Sequence, residues 1–149
     1  MKQQTARAGE YFVAAELNRR GAHAVTFSGN MPKADVLASS VDCTRTISIQ
    51  VKTRRSGTWH TSIDESGRNK AGLVRTHFWV FVDLGKREAP PSYYVVPDHW
   101  MRNNIRRTHR DFLAKHGGRR PITPKSKHHA IGVKRIQQWK NRWDLLKLF

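Results

Sequence analysis

At 149 residues the chain is the length of one domain with a single core, and its hydrophobic content of 38% with aromatics from Phe12 to Trp143 excludes a disordered chain. Its 28 Lys and Arg against 11 Asp and Glu give a formal charge of +17, which calls for a polyanionic partner: nucleic acid first, then an anionic membrane surface or an acidic protein. The single cysteine, Cys43, excludes an intramolecular disulfide framework and a cysteine-based zinc site, and fits a reducing compartment.

The N-terminal stretch Met1 to Arg7 lacks the apolar core of a signal peptide, and no run reaches the ~18 apolar residues of a membrane span, so the sequence reads as cytoplasmic. Residues 5–20 are predicted as a helix, with Thr5 as N-cap and Gly21 as the stop. Ala6, Val13, Ala14 and Leu17 share one apolar face, and Glu10 belongs to the same stripe. An inward carboxylate needs a cation, a metal or a network; a place at the stripe's edge in the first turns is the simpler alternative. A short strand over 23–27 and a turn over 28–32 follow. Strands at 34–39 and 46–53 read as a hairpin, and in the second of them Ile47, Ile49 and Val51 face one way while Ser48, Gln50 and Lys52 face the other.

Residues 54–73 read as a long loop with at most one helical turn, where Arg54, Arg55 and Trp59 are candidates for holding phosphates and stacking on a base; a Trp59 at the core edge is the alternative. The nearly continuous apolar run His77 to Leu84 is predicted as a central strand buried on both faces, and 92–96 as a further strand. A helix follows from Pro97–Asp98, with Met101, Ile105 and Phe112 on its apolar side and Arg102, Arg106, Arg107 and Arg110 on others. Residues 115–129 form a basic loop without an acid, with Arg119, Arg120, Lys125 and Lys127 as candidate phosphate contacts or as solvated charges. The chain is predicted to close in an amphipathic helix presenting Ile136, Trp139, Trp143 and Leu146. The eight histidines lack metal-ligand spacing and read as surface or packing residues.

Glu10 on a first helix, Asp35 on one hairpin strand, and Gln50 with Lys52 two apart on the other resemble the PD-(D/E)XK nuclease superfamily, and within it the small Holliday-junction-resolvase-like branch. The likeness covers residues 5–96 and includes Gly9–Glu10 ahead of an apolar run ending at Gly21. Ala34 stands where the motif name has Pro, and fifteen residues separate Asp35 from Gln50, as suits a hairpin. The resemblance implies an α/β (α+β) restriction-endonuclease-like α-β-β-β-α/β core, a mixed central sheet flanked by helices, in one domain whose helical and basic C-terminal part spans 97–149.

It also implies a DNA endonuclease dependent on Mg²⁺ or Mn²⁺. Asp35, the Gln50 amide oxygen, the Val51 carbonyl and Glu10 would serve the metal, and Lys52 would orient water or stabilise charge at phosphorus. The departure is Gln50, an amide in place of a carboxylate, which removes one negative charge from the site. Two other readings stay open: a non-catalytic nucleic-acid-binding module on the same fold, in which a Glu10–Lys52 ion pair would keep both residues, and an RNA-binding protein. Cutting two strands or a four-way junction would suit a homodimer.

Overall fold

The structure, a computed structural model, describes residues 1–29, 31–67 and 76–149. Helix α1 spans Lys2–Arg19 and buries Gly9, Val13 and Leu17, one residue per turn along a single face. It begins earlier than predicted, so Thr5 is no N-cap: its hydroxyl donates to the Met1 carbonyl at 3.0 Å from inside the first turns. Ala6 is exposed, and Gly9 takes its place in the buried stripe. The helix ends at Gly21 as expected, where φ of +100° favours a residue without Cβ.

Strands β1 (His23–Thr26), β2 (Val36–Ser39) and β3 (Thr46–Arg54) run antiparallel in turn, β2 and β3 making the predicted hairpin. Strand β4 (Trp59–Ser62) and the 3-10 turn Ile63–Ser66 lie within the segment read as a loop, and the part of that segment from Arg68 onward lies outside the described residues. Strand β5 (His77–Asp83) pairs parallel with β3, and β6 (Ser92–Pro97) antiparallel with β5. The result is a mixed five-stranded sheet in the order β1-β2-β3-β5-β6. Six of the seven residues of β5 are buried, as a strand covered on both faces requires.

The two faces carry separate cores. On one, Val13 and Leu17 of α1 meet Ile47, Ile49, Val80 and Val95 together with Trp143 and Leu146 from the C-terminus. On the other, Trp79, Phe81, Tyr94 and Val96 pack under helix α2 (Asp98–Lys115) through Met101 and Ile105. Phe112, predicted for the same apolar side, is 39% exposed. Strand β7 (His128–Ile131) pairs with β4 in a separate two-stranded ribbon, which seals this second core with Trp59 and Ile131. The basic loop is therefore shorter than predicted, bounded by the end of α2 and the start of β7.

The C-terminal amphipathic helix does not form. Helix α3 covers only Val133–Ile136, and two 3-10 turns follow at Gln137–Trp139 and Trp143–Leu146. Between them the chain crosses the sheet edge: Lys140 bridges Tyr94 of β6, Asn141 N–H donates to the Tyr93 carbonyl at 3.0 Å, and Asn141 turns with φ of +54°. Ile136 thus enters the second core while Trp143 and Leu146 enter the first.

Candidate active site

The site lies where β2 leaves β3. Their ladder ends at Val36 opposite Ile49, with the Asp35 N–H donating to the Ile49 carbonyl at 2.8 Å. Beyond that point β3 continues from Gln50 to Arg54 with β5 as its only described strand partner. The Asp35 side chain occupies the vacated edge, where Oδ2 accepts the Val51 N–H at 2.7 Å. Both main-chain groups of one strand residue point to the same edge, so the Val51 carbonyl faces the same gap.

Glu10 reaches this edge from α1. The helix can approach because Gly9 lies flat on β3: a Cβ there would stand 1.8 Å from Thr53 Oγ1. Glu10 and Asp35 line one cleft of about 210 Å³ with Arg7, Phe27 and Met31. Burial and the Asp35 carboxylate push the Glu10 carboxyl above its usual range, and Arg7, at 3.0 Å from Oε2, opposes them. Arg7 also donates to the Phe27 carbonyl at 3.1 Å. The inward lean expected for Glu10 is thus met by a cation from its own helix, three residues earlier.

Gln50 and Lys52 project to the opposite face, toward α2. Both donate to a residue that sequence reasoning missed, Glu65 on the 3-10 turn: Gln50 Nε2 and Lys52 Nζ each lie 3.3 Å from Glu65 Oε1. Lys52 also lies over the Trp79 ring, 5.6 Å from its centroid. The Glu10–Lys52 pair does not form, since each residue takes another partner. The turn is fixed in place by Arg102, which donates to the carbonyls of Glu65 and Gly67 at 3.1 and 3.2 Å.

Arg102 is itself held by Asp98, which is fully buried, accepts Arg102 Nε at 3.0 Å on both oxygens, and accepts Trp79 Nε1 at 2.7 Å. Arg102 is therefore an internal cation rather than one of the solvated arginines of α2. Beside this network His77 receives or gives a 2.7 Å hydrogen bond with Ser48, and burial holds its imidazole below its ordinary pKa. The only sequence signal for Glu65 was its place, with Asp64, in a segment otherwise poor in acids.

The other candidates divide. Trp59 is a correction: it is fully buried, donates Nε1–H to the Val82 carbonyl at 2.9 Å, and meets Phe81 and Tyr94 edge-on, so it packs and has no face open for a base. Arg54 stacks on it at 3.9 Å and pairs with Asp83 at 2.6 Å, which commits that guanidinium to the fold. Arg55 is exposed and donates to Thr5 Oγ1 at 3.0 Å. Arg120 shapes the basic loop by donating to the carbonyls of Ser126 and His128, and Lys127 pairs with Asp64 at 3.0 Å. Arg119 and Lys125 are exposed on the loop.

The chain superposes along 97% of its length on Archaeoglobus fulgidus Hjc, a Holliday junction resolvase, with a TM-score of 0.53, 15% identity and 97% of that chain covered. It superposes along 99% of its length on the bacterial homing endonuclease I-Ssp6803I, with a TM-score of 0.54, 12% identity and 92% of that chain covered. Both are nucleases with one architecture. The chain has the restriction-endonuclease-like fold.

No protein-family model and no curated protein sequence matches it. Within this fold Asp35 stands at the strand-divergence point, Gln50 and Lys52 flank Val51, and Glu10 comes in from the first helix. Among the described residues no three His, Cys, Asp or Glu gather as a metal cluster. The cleft itself brings together two carboxylates, Glu10 and Asp35, beside the Val51 strand edge, hard oxygens of the kind Mg²⁺ or Mn²⁺ takes, while Gln50 and Lys52 lie outside its lining, on the Glu65 side. No described helix is long and apolar enough to cross a membrane.

Proposed function

We propose that this protein is a metal-dependent endonuclease that hydrolyses phosphodiester bonds in DNA. The observation that carries the reading is the seating of Asp35 on the Val51 N–H at the open edge of β3, at 2.7 Å, with Glu10 in the same cleft. Asp35, the Val51 carbonyl and Glu10 would hold the cation at the strand edge from the α1 side, with the Gln50 amide oxygen completing the set from the other face of β3. When bound, Mg²⁺ supplies a Lewis acid for the phosphate and acidifies a water.

The chain's own groups do the remaining work. Asp35 is oriented through Oδ2 by a main-chain donor rather than by a flexible side chain. Lys52 brings an ammonium to the other face of β3, beside Glu65 and over Trp79, from which it would donate to a phosphate oxygen or to water. Its side chain is 20% exposed, so it remains within reach of a substrate. Glu10, kept less acidic than usual by burial and by Asp35, can hold a proton or a water from the α1 side. Exposed Arg55, Arg119 and Lys125, with Arg120 and Lys127 around the loop, supply cations to a DNA backbone. Two copies about a two-fold axis would place two sites on a duplex or a junction.

Incubation with supercoiled plasmid, a four-way junction and single-stranded DNA tests the reading. Cleavage is expected with Mg²⁺ or Mn²⁺, to be abolished by EDTA and by Asp35→Ala or Lys52→Ala. Folded wild type that cuts none of them contradicts it. The Lys52–Glu65 ion pair supports a second reading, a non-catalytic DNA-binding module on this fold, because that contact offsets the lysine's charge. It predicts salt-sensitive binding indifferent to Asp35→Ala.

A further inference from the structure

We propose that Glu65 is a positioning residue of this site, which orients the Gln50 amide and takes over the negative charge that an amide at position 50 lacks. The inference rests on the nuclease reading above and adds a residue that the PD-(D/E)XK pattern does not contain. A glutamine offers one oxygen and one NH₂ group, and only the oxygen can ligate a cation. Left unrestrained, the amide would present either end. Here Nε2 donates to Glu65 Oε1 at 3.3 Å, so the oxygen end is turned away from Glu65.

The same Oε1 accepts from Lys52 Nζ at 3.3 Å, so one carboxylate oxygen ties the second and third positions of the motif together. The trio Gln50, Lys52 and Glu65 thus has the net charge that a carboxylate at position 50 and Lys52 would have alone. Three further observations show that this placement is built. Ser62 Oγ accepts the Asp64 N–H at 3.2 Å and caps the turn. Arg102 grips the Glu65 and Gly67 carbonyls while anchored on buried Asp98. Glu65 Oε2 is buried and has no hydrogen-bond partner among the described residues. Leaving such an oxygen unpaired is costly, so a turn merely closing a core would be better served by an apolar side chain.

The test is a cycle of four proteins, wild type, Gln50→Glu, Glu65→Gln and the double variant, with Glu65→Ala beside them. Each is assayed for Mn²⁺ binding by electron paramagnetic resonance, for cleavage, and for its unfolding midpoint. Arg102 holds the turn through main-chain carbonyls, so Glu65→Ala leaves that clamp in place and the variant should fold. Its Mn²⁺ affinity and its cleavage rate should drop by about 10- to 100-fold, the usual effect of removing a group that orients a metal ligand.

The effect of Glu65→Gln should depend on its background. It weakens Mn²⁺ binding in the wild type, and it has little effect in Gln50→Glu, where the carboxylate at position 50 carries the charge itself and has no amide to orient. A residue of purely structural importance would lower the midpoint and the affinity equally in both backgrounds. Wild-type binding and cleavage together with an unchanged Glu65→Ala, or with additive effects around the cycle, overturn the role of Glu65 alone. A wild type that neither binds Mn²⁺ nor cuts DNA overturns the nuclease reading and this inference with it.

Discussion

Replacing Gly9 by alanine should destabilise the protein, against the ordinary preference of a helix. In an unhindered helix interior the change gains about 1 kcal/mol. Here the added Cβ would lie 1.8 Å from Thr53 Oγ1, about 1.6 Å short of the 3.4 Å at which ordinary contact begins. Rotating Thr53 does not solve this, because its Cβ and Cγ2 both stand 2.9 Å from the new atom. Helix α1 must therefore lift from β3, and overpacking of this kind costs about 1–3 kcal/mol. The net expectation is a loss of up to about 2 kcal/mol in urea unfolding, once the gain of about 1 kcal/mol in helix propensity is subtracted.

Adding Thr53→Ala should recover part of it, since that removes the clashing hydroxyl, which has no hydrogen-bond partner among the described residues. Cleavage should suffer more than stability, because Glu10 follows Gly9 and would move away from Asp35 with the helix. A Gly9→Ala protein more stable than wild type by the full helix increment would refute the reasoning.

Trp59→Ala should cost about 3–5 kcal/mol as a core truncation, while Trp59→Phe retains wild-type DNA affinity in a filter-binding assay; a large affinity loss in the phenylalanine variant would restore a stacking role. Arg102→Met should lower stability by roughly 3 kcal/mol or more, because it takes a guanidinium from buried Asp98, and an unchanged denaturant midpoint would contradict this. Burial, followed by Arg135 and His109, pulls the His129 imidazole down to about 4, so the fold favours its neutral form. The folded pKa being depressed, stability should be full above about 6.5 and fall as the pH drops toward 4; His129→Gln should show a shallower fall over that window, and identical slopes would count against it. Arg119→Gln with Lys125→Gln should reduce the slope of log K against log salt by about 0.9 for each phosphate that the pair no longer neutralises.

Much of this architecture was legible where local pattern and tertiary demand agree. The alternation of Ile47, Ile49 and Val51 against Ser48, Gln50 and Lys52 fixed the two faces of β3, and the unbroken run His77 to Leu84 announced its buried neighbour. What escaped depended on partners far along the chain. Strand β4 is four residues long and finds its ladder in β7, so Trp59 looked like a loop aromatic although it closes a core. Ile136, Trp139, Trp143 and Leu146 have helical spacing, yet the edge of β6 intercepts the chain at Lys140 and sends the two halves to opposite faces.

The candidate site was legible in the same uneven way. Asp35, Gln50 and Lys52 follow from strand register, and Glu10 from the helical stripe. Glu65 comes to Lys52 through a turn whose position is set by Arg102 on α2, a contact no local pattern encodes. Arg7 stands at ordinary helical spacing from Glu10, so that pair is legible in the sequence, although an inward acid beside a motif points to a metal as readily as to a neighbouring cation.

The most direct test of the central claim is cleavage of a labelled four-way junction and of supercoiled plasmid by the wild type and Lys52→Ala side by side, with and without Mg²⁺ or Mn²⁺. The account predicts strand scission by the wild type only with metal, and none by Lys52→Ala at matched folding and DNA binding. Metal-independent scission, or equal scission by both proteins, would contradict it.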